Sequence, residues 1–132
     1  MQDDARRLGH RTLVDVLEHR AERDGARTAY RFLSSAGEED GVLAYAELRA
    51  RVASMARHIA EVAAPGDRVV LLLPPGLDYV TALYACLYAG AIAVPAYPPN
   101  PRRPDGRVAG IVADCDARAA LVSTAQIGRA HV

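Results

Sequence analysis

The feature that most constrains this chain is the uninterrupted apolar run Val69-Val70-Leu71-Leu72-Leu73. A strand with one wet face alternates apolar and polar residues. A run without alternation needs cover on both faces, as in a parallel sheet flanked by helices. Pro74-Pro75-Gly76 then turns the chain into a helix, expected from about Leu77 to Ala89, that is apolar nearly all round and therefore buried. Gly90 fits the C′ position of that helix, and Ala91 to Val94 reads as the next strand, stopped by Pro95. A proline-rich loop, Tyr97 to Pro104, leads to a shorter helix with Val108, Ile111, Val112 and Cys115 on one face, a helix that Gly106 and Gly110 weaken. Ala119 to Val122 is a last strand. Strand, helix, strand, helix, strand is the βαβαβ portion of a doubly wound sheet with right-handed crossovers.

Upstream the periodicity changes. Thr12 followed by Asp15 is a helix-start pattern, after which Leu13, Val16, Leu17 and Ala21 form one apolar face and Gly25 offers a stop. Thr28 to Leu33 reads as a short strand with Tyr30 and Phe32 on one face. A polar loop, Ser34 to Gly41, separates it from a second strand, Val42 to Tyr45, giving a hairpin with a long tip. Leu48, Val52, Met55, Ile59 and Val62 mark an amphipathic helix over Ala46 to Ala63, ended by Pro65-Gly66. The expected fold class is α/β, with a helix, a β-hairpin and a second helix ahead of the parallel strands. No repeat or linker divides the chain into two domains.

Several kinds of chemistry are disfavoured. Acidic and basic residues balance at 16 each, so the basic excess of a nucleic-acid binder is absent. Every cation is arginine, and without lysine the P-loop pattern cannot occur. The turn after the first parallel strand lacks the G-x-G-x-x-G fingerprint, although it stands at the carboxyl end of a strand, where ligands bind in such sheets. Its simpler role is a tight connection, with Asp78 favouring the helix N-terminus. His10, His19 and His58 are scattered without a second ligand at metal spacing and read as solvated surface. No Ser, His and acid set can be assembled. Cys86 and Cys115 each sit at an apolar helical position and read as small core residues in a reducing cytoplasm. Arg102, Arg103 and Arg107 cluster around the proline-rich loop. They can face an anionic partner, such as an acidic carrier protein or a phosphate. The simpler reading is a solvated loop stiffened by Pro98, Pro99, Pro101 and Pro104. The start, Met1-Gln2-Asp3-Asp4, is not the beginning of a secretory signal. The stretch from Leu77 to Ala96, broken by Gly90 and Pro95, reads as a buried helix and strand and not a membrane span. A cytoplasmic protein without nucleic-acid or membrane-spanning function is expected.

Some segments are more informative as strings. Leu43-Ala44-Tyr45-Ala46-Glu47-Leu48 resembles the L-[ST]-Y-x-E-L motif near the start of adenylate-forming enzymes, with alanine where Thr or Ser is usual. Leu87-Tyr88-Ala89-Gly90-Ala91-Ile92-Ala93-Val94-Pro95 resembles their helix–Gly–strand–Pro passage, and Pro65-Gly66-Asp67-Arg68-Val69 fits between them in the expected order. Within that superfamily, Ala93-Val94-Pro95-Ala96-Tyr97-Pro98-Pro99, the Arg/Pro-rich loop, Ile111-Val112-Ala113-Asp114 and Leu73-Pro74-Pro75-Gly76-Leu77-Asp78-Tyr79 look like the fatty acyl-AMP ligases. The resemblance runs from about Leu8 to Thr124 and covers the opening part of the family's large N-terminal domain.

That resemblance implies a parent enzyme that uses ATP and Mg²⁺ to convert a fatty acid to its acyl-adenylate. The acyl group then passes to the phosphopantetheine thiol of an acyl carrier protein, and the parent is free-standing or fused to polyketide or peptide synthase modules. The family's phosphate loop, adenine and Mg²⁺ motif, ribose-binding acid and C-terminal lysine have no matching position here. No catalytic, cofactor-binding or metal-ligating residue is therefore carried over, and the chain alone is expected to be inactive and to bind no cofactor. Residues 1–126 are expected to be a partial AMP-binding domain. Ile127-Gly128-Arg129-Ala130-His131-Val132 matches one reading frame of a common short-read sequencing adapter and is expected to be a non-native tail. Two alternatives stay open: an acyl-CoA synthetase or peptide-synthetase adenylation domain, and a Rossmann-like binding module without chemistry.

Overall fold

A computed structural model of the chain describes residues 9–102 and 106–123. Met1 to Leu8, Arg103 to Asp105 and the stretch from Thr124, with Ile127 to Val132 and His131 in it, lie outside the described residues.

The chain opens with α1 (Leu13–Arg23). Its start is the reciprocal box that Thr12 and Asp15 promise. Thr12 Oγ1 accepts from the Asp15 amide at 3.1 Å, and Asp15 Oδ2 accepts from the amides of Thr12 at 3.2 Å and Arg11 at 3.0 Å. These bonds satisfy donors that the first turn leaves without helical partners. Gly25 follows the helix end, but for a different reason than a left-handed cap. A Cβ there would stand 2.7 Å from the Ala21 carbonyl oxygen and 3.3 Å from Ala46 Cβ, so glycine permits a close crossing.

β1 (Thr28–Leu33) pairs antiparallel with β2 (Glu39–Ala44). The second strand thus begins three residues before the expected Val42, and the tip is short. Ser34 Oγ accepts from the amides of Ala36 and Glu38, each at 3.3 Å, and Gly37 turns at φ 80. Glu39 and Asp40 read as loop because they are charged. An exposed ribbon asks for no apolar face there, and Glu39 instead pairs with Arg31 across the strands at 3.0 Å.

α2 (Tyr45–Val62) buries Leu48, Val52 and Ile59 as its pattern requires. Val62 does not join them and is 54% exposed. The stripe steps by four from Ile59 to Ala63, which is buried, and leaves Val62 to one side.

The parallel sheet contains β3 (Arg68–Leu72), β4 (Ile92–Pro95) and β5 (Ala119–Val122) in the order β4-β3-β5. Pro95 closes β4 as its last residue; it does not stand beyond it. Between β3 and β4 runs α3 (Leu77–Tyr88), with Asp78 its only exposed residue. It ends in a Schellman motif: Gly90 at φ 74, with Ala91 N–H donating to Cys86 O at 2.9 Å and Gly90 N–H to Leu87 O at 3.2 Å. α4 (Arg107–Cys115) joins β4 to β5.

Successive strand residues face opposite ways. Val69, Leu71 and Leu73 enter the main core with Leu17, Leu43, Leu48, Val52, Ile59 and the Ala82, Ala85 and Cys86 face of α3. Val70 and Leu72, equally buried, lie outside that cluster and face the other side, in register with Val94 and Val122. With right-handed crossovers, the step from β3 to β4 and the return from β4 to β5 place α3 and α4 on opposite faces. The two faces are unequally covered. α1, α2 and α3 pack together over one of them, while α4 buries no residue completely.

Candidate functional site

At the carboxyl end of the sheet, β3 leaves for α3 on one face and β4 leaves for α4 on the other. Adjacent parallel strands whose connections part in this way open a crevice, the place where doubly wound sheets bind ligands. A groove of about 320 Å³ lies there, lined by Leu73, Pro75, Tyr79, Pro95, Ala96 and Tyr97. Each residue has a local reason for its place. Ala96 N–H donates to Leu71 O at 3.0 Å and carries the pairing of the strands past Pro95. Leu73 is nearly buried below the turn, and Tyr79 projects from the first turn of α3.

The far wall is the loop that the sequence reads as solvated and stiff. Arg107, one of the three arginines assigned to that loop, turns onto its backbone. One guanidinium nitrogen donates to Tyr97 O at 2.9 Å and to Pro98 O at 3.4 Å. Asn100 Oδ1 accepts from the Arg102 amide at 2.9 Å. Arg107 thus fixes the loop that presents Tyr97, a residue 75% exposed. Among the described residues the groove walls carry two phenols and no carboxylate, imidazole or thiol. Such a site can hold an apolar group and offer a hydrogen bond, and supplies no general base.

A second cavity, about 460 Å³, opens at the amino ends of the strands between Ala60, Glu61, Asp67, Arg68, Asp116 and Arg118. Two of its charges serve the frame. Asp67 Oδ2 accepts from Ala64 N–H at 2.8 Å, and Arg68 Nε donates to Cys115 O at 2.6 Å.

Two of the histidines are not scattered. The rings of His10 and His19 lie 4.6 Å apart, while His58 stays on the surface with Nδ1 2.9 Å from Ser54 O. Among the described residues no three His, Cys, Asp or Glu side chains gather as a metal site. The cysteines part company. Cys86 is buried, and burial pushes its thiol up to about 11. Cys115 is half exposed, contrary to its expected core position, because α4 covers its sheet face only loosely. A line of phenols crosses the main core boundary. Tyr30 and Tyr84 hydroxyls stand 3.1 Å apart, and Tyr88 donates to Glu18 Oε1 at 2.6 Å. Desolvation raises both the Tyr84 and the Tyr88 phenol, which holds them neutral, and their hydrogen bonds tie α3 to the hairpin and to α1.

Sequence reasoning pointed to the Pro74-Pro75-Gly76 turn as a ligand position but did not single out Tyr79, Ala96 or Tyr97 as its walls. The available signal was an aromatic residue a few positions beyond each of two strand-ending proline turns. Only the strand order shows that the two turns meet. Neither Asp78, exposed at the mouth of α3, nor Arg102 lines the groove. No helix among the described residues is long and apolar enough to cross a membrane.

Comparison with known proteins agrees with this frame. The family model described as AMP-binding enzyme matches residues 17–131. A medium-chain-fatty-acid–acyl-carrier-protein ligase, JamA of Moorena producens, is 40% identical over 92 residues, 70% of this chain and 16% of that protein. A long-chain-fatty-acid–AMP ligase, FadD32 of Mycolicibacterium smegmatis, is 39% identical over 116 residues, 86% of this chain and 18% of that protein. The crystal structure of a fatty acid AMP ligase from Legionella pneumophila superposes with a TM-score of 0.82 at 35% identity, covering 89% of this chain and 20% of that one. A nonribosomal peptide synthetase, FmoA3, shares the fold at a TM-score of 0.72 and 23% identity, over 88% of this chain and 12% of that one. The chain therefore spans about a fifth or less of the length of the relatives it matches. The segment with its parallel sheet, Schellman-capped α3 and Val-Pro strand exit belongs to the AMP-binding enzyme family, and the relatives it resembles include fatty acyl-AMP ligases.

Proposed function

We propose that this chain is the leading part, residues 1–126, of a fatty acyl-AMP ligase, followed by six residues that are not native to it. The whole enzyme joins a fatty carboxylate to the α-phosphate of ATP with Mg²⁺, releases pyrophosphate, and passes the acyl group to the phosphopantetheine thiol of a carrier protein. One observation carries this reading. The chain is more similar, in sequence and in superposition, to the Legionella fatty acid AMP ligase than to the peptide synthetase that shares its fold. The Ala93 to Pro99 passage, which distinguishes the acyl-AMP ligases by resemblance, forms the exit of β4 and one wall of the groove.

The part played here is structural support and ligand shaping. The chain has no lysine and lacks the Ser/Thr/Gly-rich loop with which, by resemblance, the family holds a transferring phosphoryl group. ATP and Mg²⁺ belong to residues beyond it, and the 132-residue chain alone should give no ATP–pyrophosphate exchange with any fatty acid. The whole enzyme is tested by incubating it with ATP, dodecanoate and either CoA or holo-carrier protein, and weighing the products. Acyl-AMP and loaded carrier with little acyl-CoA are expected. Efficient acyl-CoA formation without carrier loading would move the parent to the acyl-CoA synthetases.

A further inference from the structure

We propose that His10 and His19 together bind one divalent transition-metal ion, which ties the chain entering α1 to the second turn of that helix. The two residues stand nine apart, a spacing that no single helix or strand turns into a shared face. The fold nevertheless brings their rings to 4.6 Å between centres, tilted by 60°. Imidazole nitrogen–metal bonds are about 2.0–2.1 Å long, so two rings on adjacent positions of one ion have centres about 4.5–5 Å apart. The pair already stands at that separation. Among the described residues neither ring spends a nitrogen on a protein hydrogen bond, whereas His58 Nδ1 lies 2.9 Å from Ser54 O. Each ring offers two nitrogens and can turn about its last side-chain torsion to present either one.

The surroundings suit a cation. Asp15, held ionised by the amides of Arg11 and Thr12, stands four residues before His19 on the same face of α1 and places a negative charge beside the pair. Both histidines are partly exposed, so an ion enters directly and water fills its remaining positions. Two imidazoles with open positions suit Zn²⁺, Ni²⁺ or Cu²⁺ and not the oxygen-seeking Mg²⁺ or Ca²⁺. With two protein ligands the ion is exchangeable, unlike a four-ligand structural zinc. Its bridge spans the Thr12 and Asp15 box, so it closes a loop over the start of α1.

The test uses the 132-residue chain, made without a histidine tag, and Zn²⁺ alone as the probe. Calorimetric titration should give one ion per chain. His10→Ala and His19→Ala should each weaken binding at least about tenfold, because two ligands on one scaffold hold an ion far better than either does singly. The double variant should fall little further than either single one, since each removal already breaks the shared site. His58→Ala and Cys115→Ser should bind within about twofold of the unaltered chain, as residues outside the chelate. Circular dichroism confirms that each variant keeps its helices. A second measurement needs no substitution. Zn²⁺ should shield His10 and His19 from diethyl pyrocarbonate and leave His58 reactive, as read by peptide mass mapping. No binding would leave the two rings as packing partners and overturn the proposal. So would affinity retained in both single variants, one ion per two chains, or equal shielding of His58.

Discussion

Cys86 and Cys115 stand at comparable apolar positions on their helices, and the structure gives them opposite lives. Cys86 lies inside the α3 face of the main core, where desolvation disfavours the thiolate and pushes the thiol up to about 11. Cys115 is partly open beside Val112, whose carbonyl its sulfur approaches at 3.9 Å. Treatment of the native chain with iodoacetamide at pH 8 should alkylate Cys115 and leave Cys86 unmodified until denaturant is added. Peptide mass mapping reads this directly. Because folding raises the Cys86 value, its contribution to stability is complete below the ordinary thiol value and is lost as pH rises through about 11. Gly25 makes a sharper residue-scale case. Its Cβ would meet the Ala21 carbonyl at 2.7 Å, a backbone atom that cannot swing aside. Gly25→Ala should therefore destabilise by about 1–3 kcal/mol, the usual cost of overpacking, and not gain the small stabilisation expected of alanine in open space. A denaturant midpoint unchanged or raised in this variant would contradict the tight crossing of α1 and α2.

At the level of elements, what was legible follows from how far each signal reaches along the chain. The box of Thr12 and Asp15, the Gly90 stop of α3 and the double-sided apolar run of β3 are local codes, and each appears where its residues predict. The sequence does not show the β2 start, because Glu39 and Asp40 carry strand geometry without strand chemistry, as exposed residues on an exposed ribbon. The groove was only half legible. Each of its two walls was visible as a proline turn, but their meeting depends on β4 lying beside β3, which no local pattern encodes. In the sequence Arg107 reads as a surface cation, because nothing in its spacing reveals that it turns back on carbonyls ten and nine residues earlier. The local codes also permit a quantitative prediction. Removing the Thr12 hydroxyl with Thr12→Ala should cost about 1 kcal/mol, measured from the chemical denaturation midpoint. Asp15 is the other half of the box. The Arg11 amide, followed by the amide and hydroxyl of Thr12, outweighs desolvation and holds its carboxyl below the usual value. A lowered carboxyl contributes above its unfolded value and loses that contribution as pH falls through the folded one. The wild-type chain should thus lose α1 helicity on acidification below the ordinary carboxylate range. Asp15→Asn, followed by circular dichroism, should remove most of that pH dependence.

For the whole molecule, the decisive imbalance is between the two faces and two edges of the parallel sheet. One face is sealed by α1, α2 and α3 over Val69, Leu71 and Leu73. The other has only α4, whose apolar residues Val108, Ile111 and Val112 are all partly open, while Ile92 at the start of β4 is 50% exposed. Among the described residues β4 and β5 are outer strands, each paired on a single side with β3. An unpaired edge with an adjoining apolar face is a template for another strand. Native edge strands usually carry charges or a covering element, and neither β4, read Ile-Ala-Val-Pro, nor β5, read Ala-Ala-Leu-Val, has a charged residue. Pro95 blunts only the last position of β4, since its missing N–H removes one ladder donor there. The 132-residue chain purified alone should therefore self-associate, with the thinly covered face and free edges as the contact. Light scattering coupled to size exclusion should show species larger than a monomer that grow with concentration, together with binding of a dye that reports exposed apolar surface. Placing lysine on the outward face of each free edge strand, with Ile92→Lys in β4 and Ala120→Lys in β5, should reduce the association without unfolding the sealed side, because Ile92 and Ala120 are both exposed. A wild-type chain that runs as a monodisperse monomer with one sharp cooperative thermal transition would show that α4 covers its face well enough alone. The sheet would then need no further strand or layer for stability.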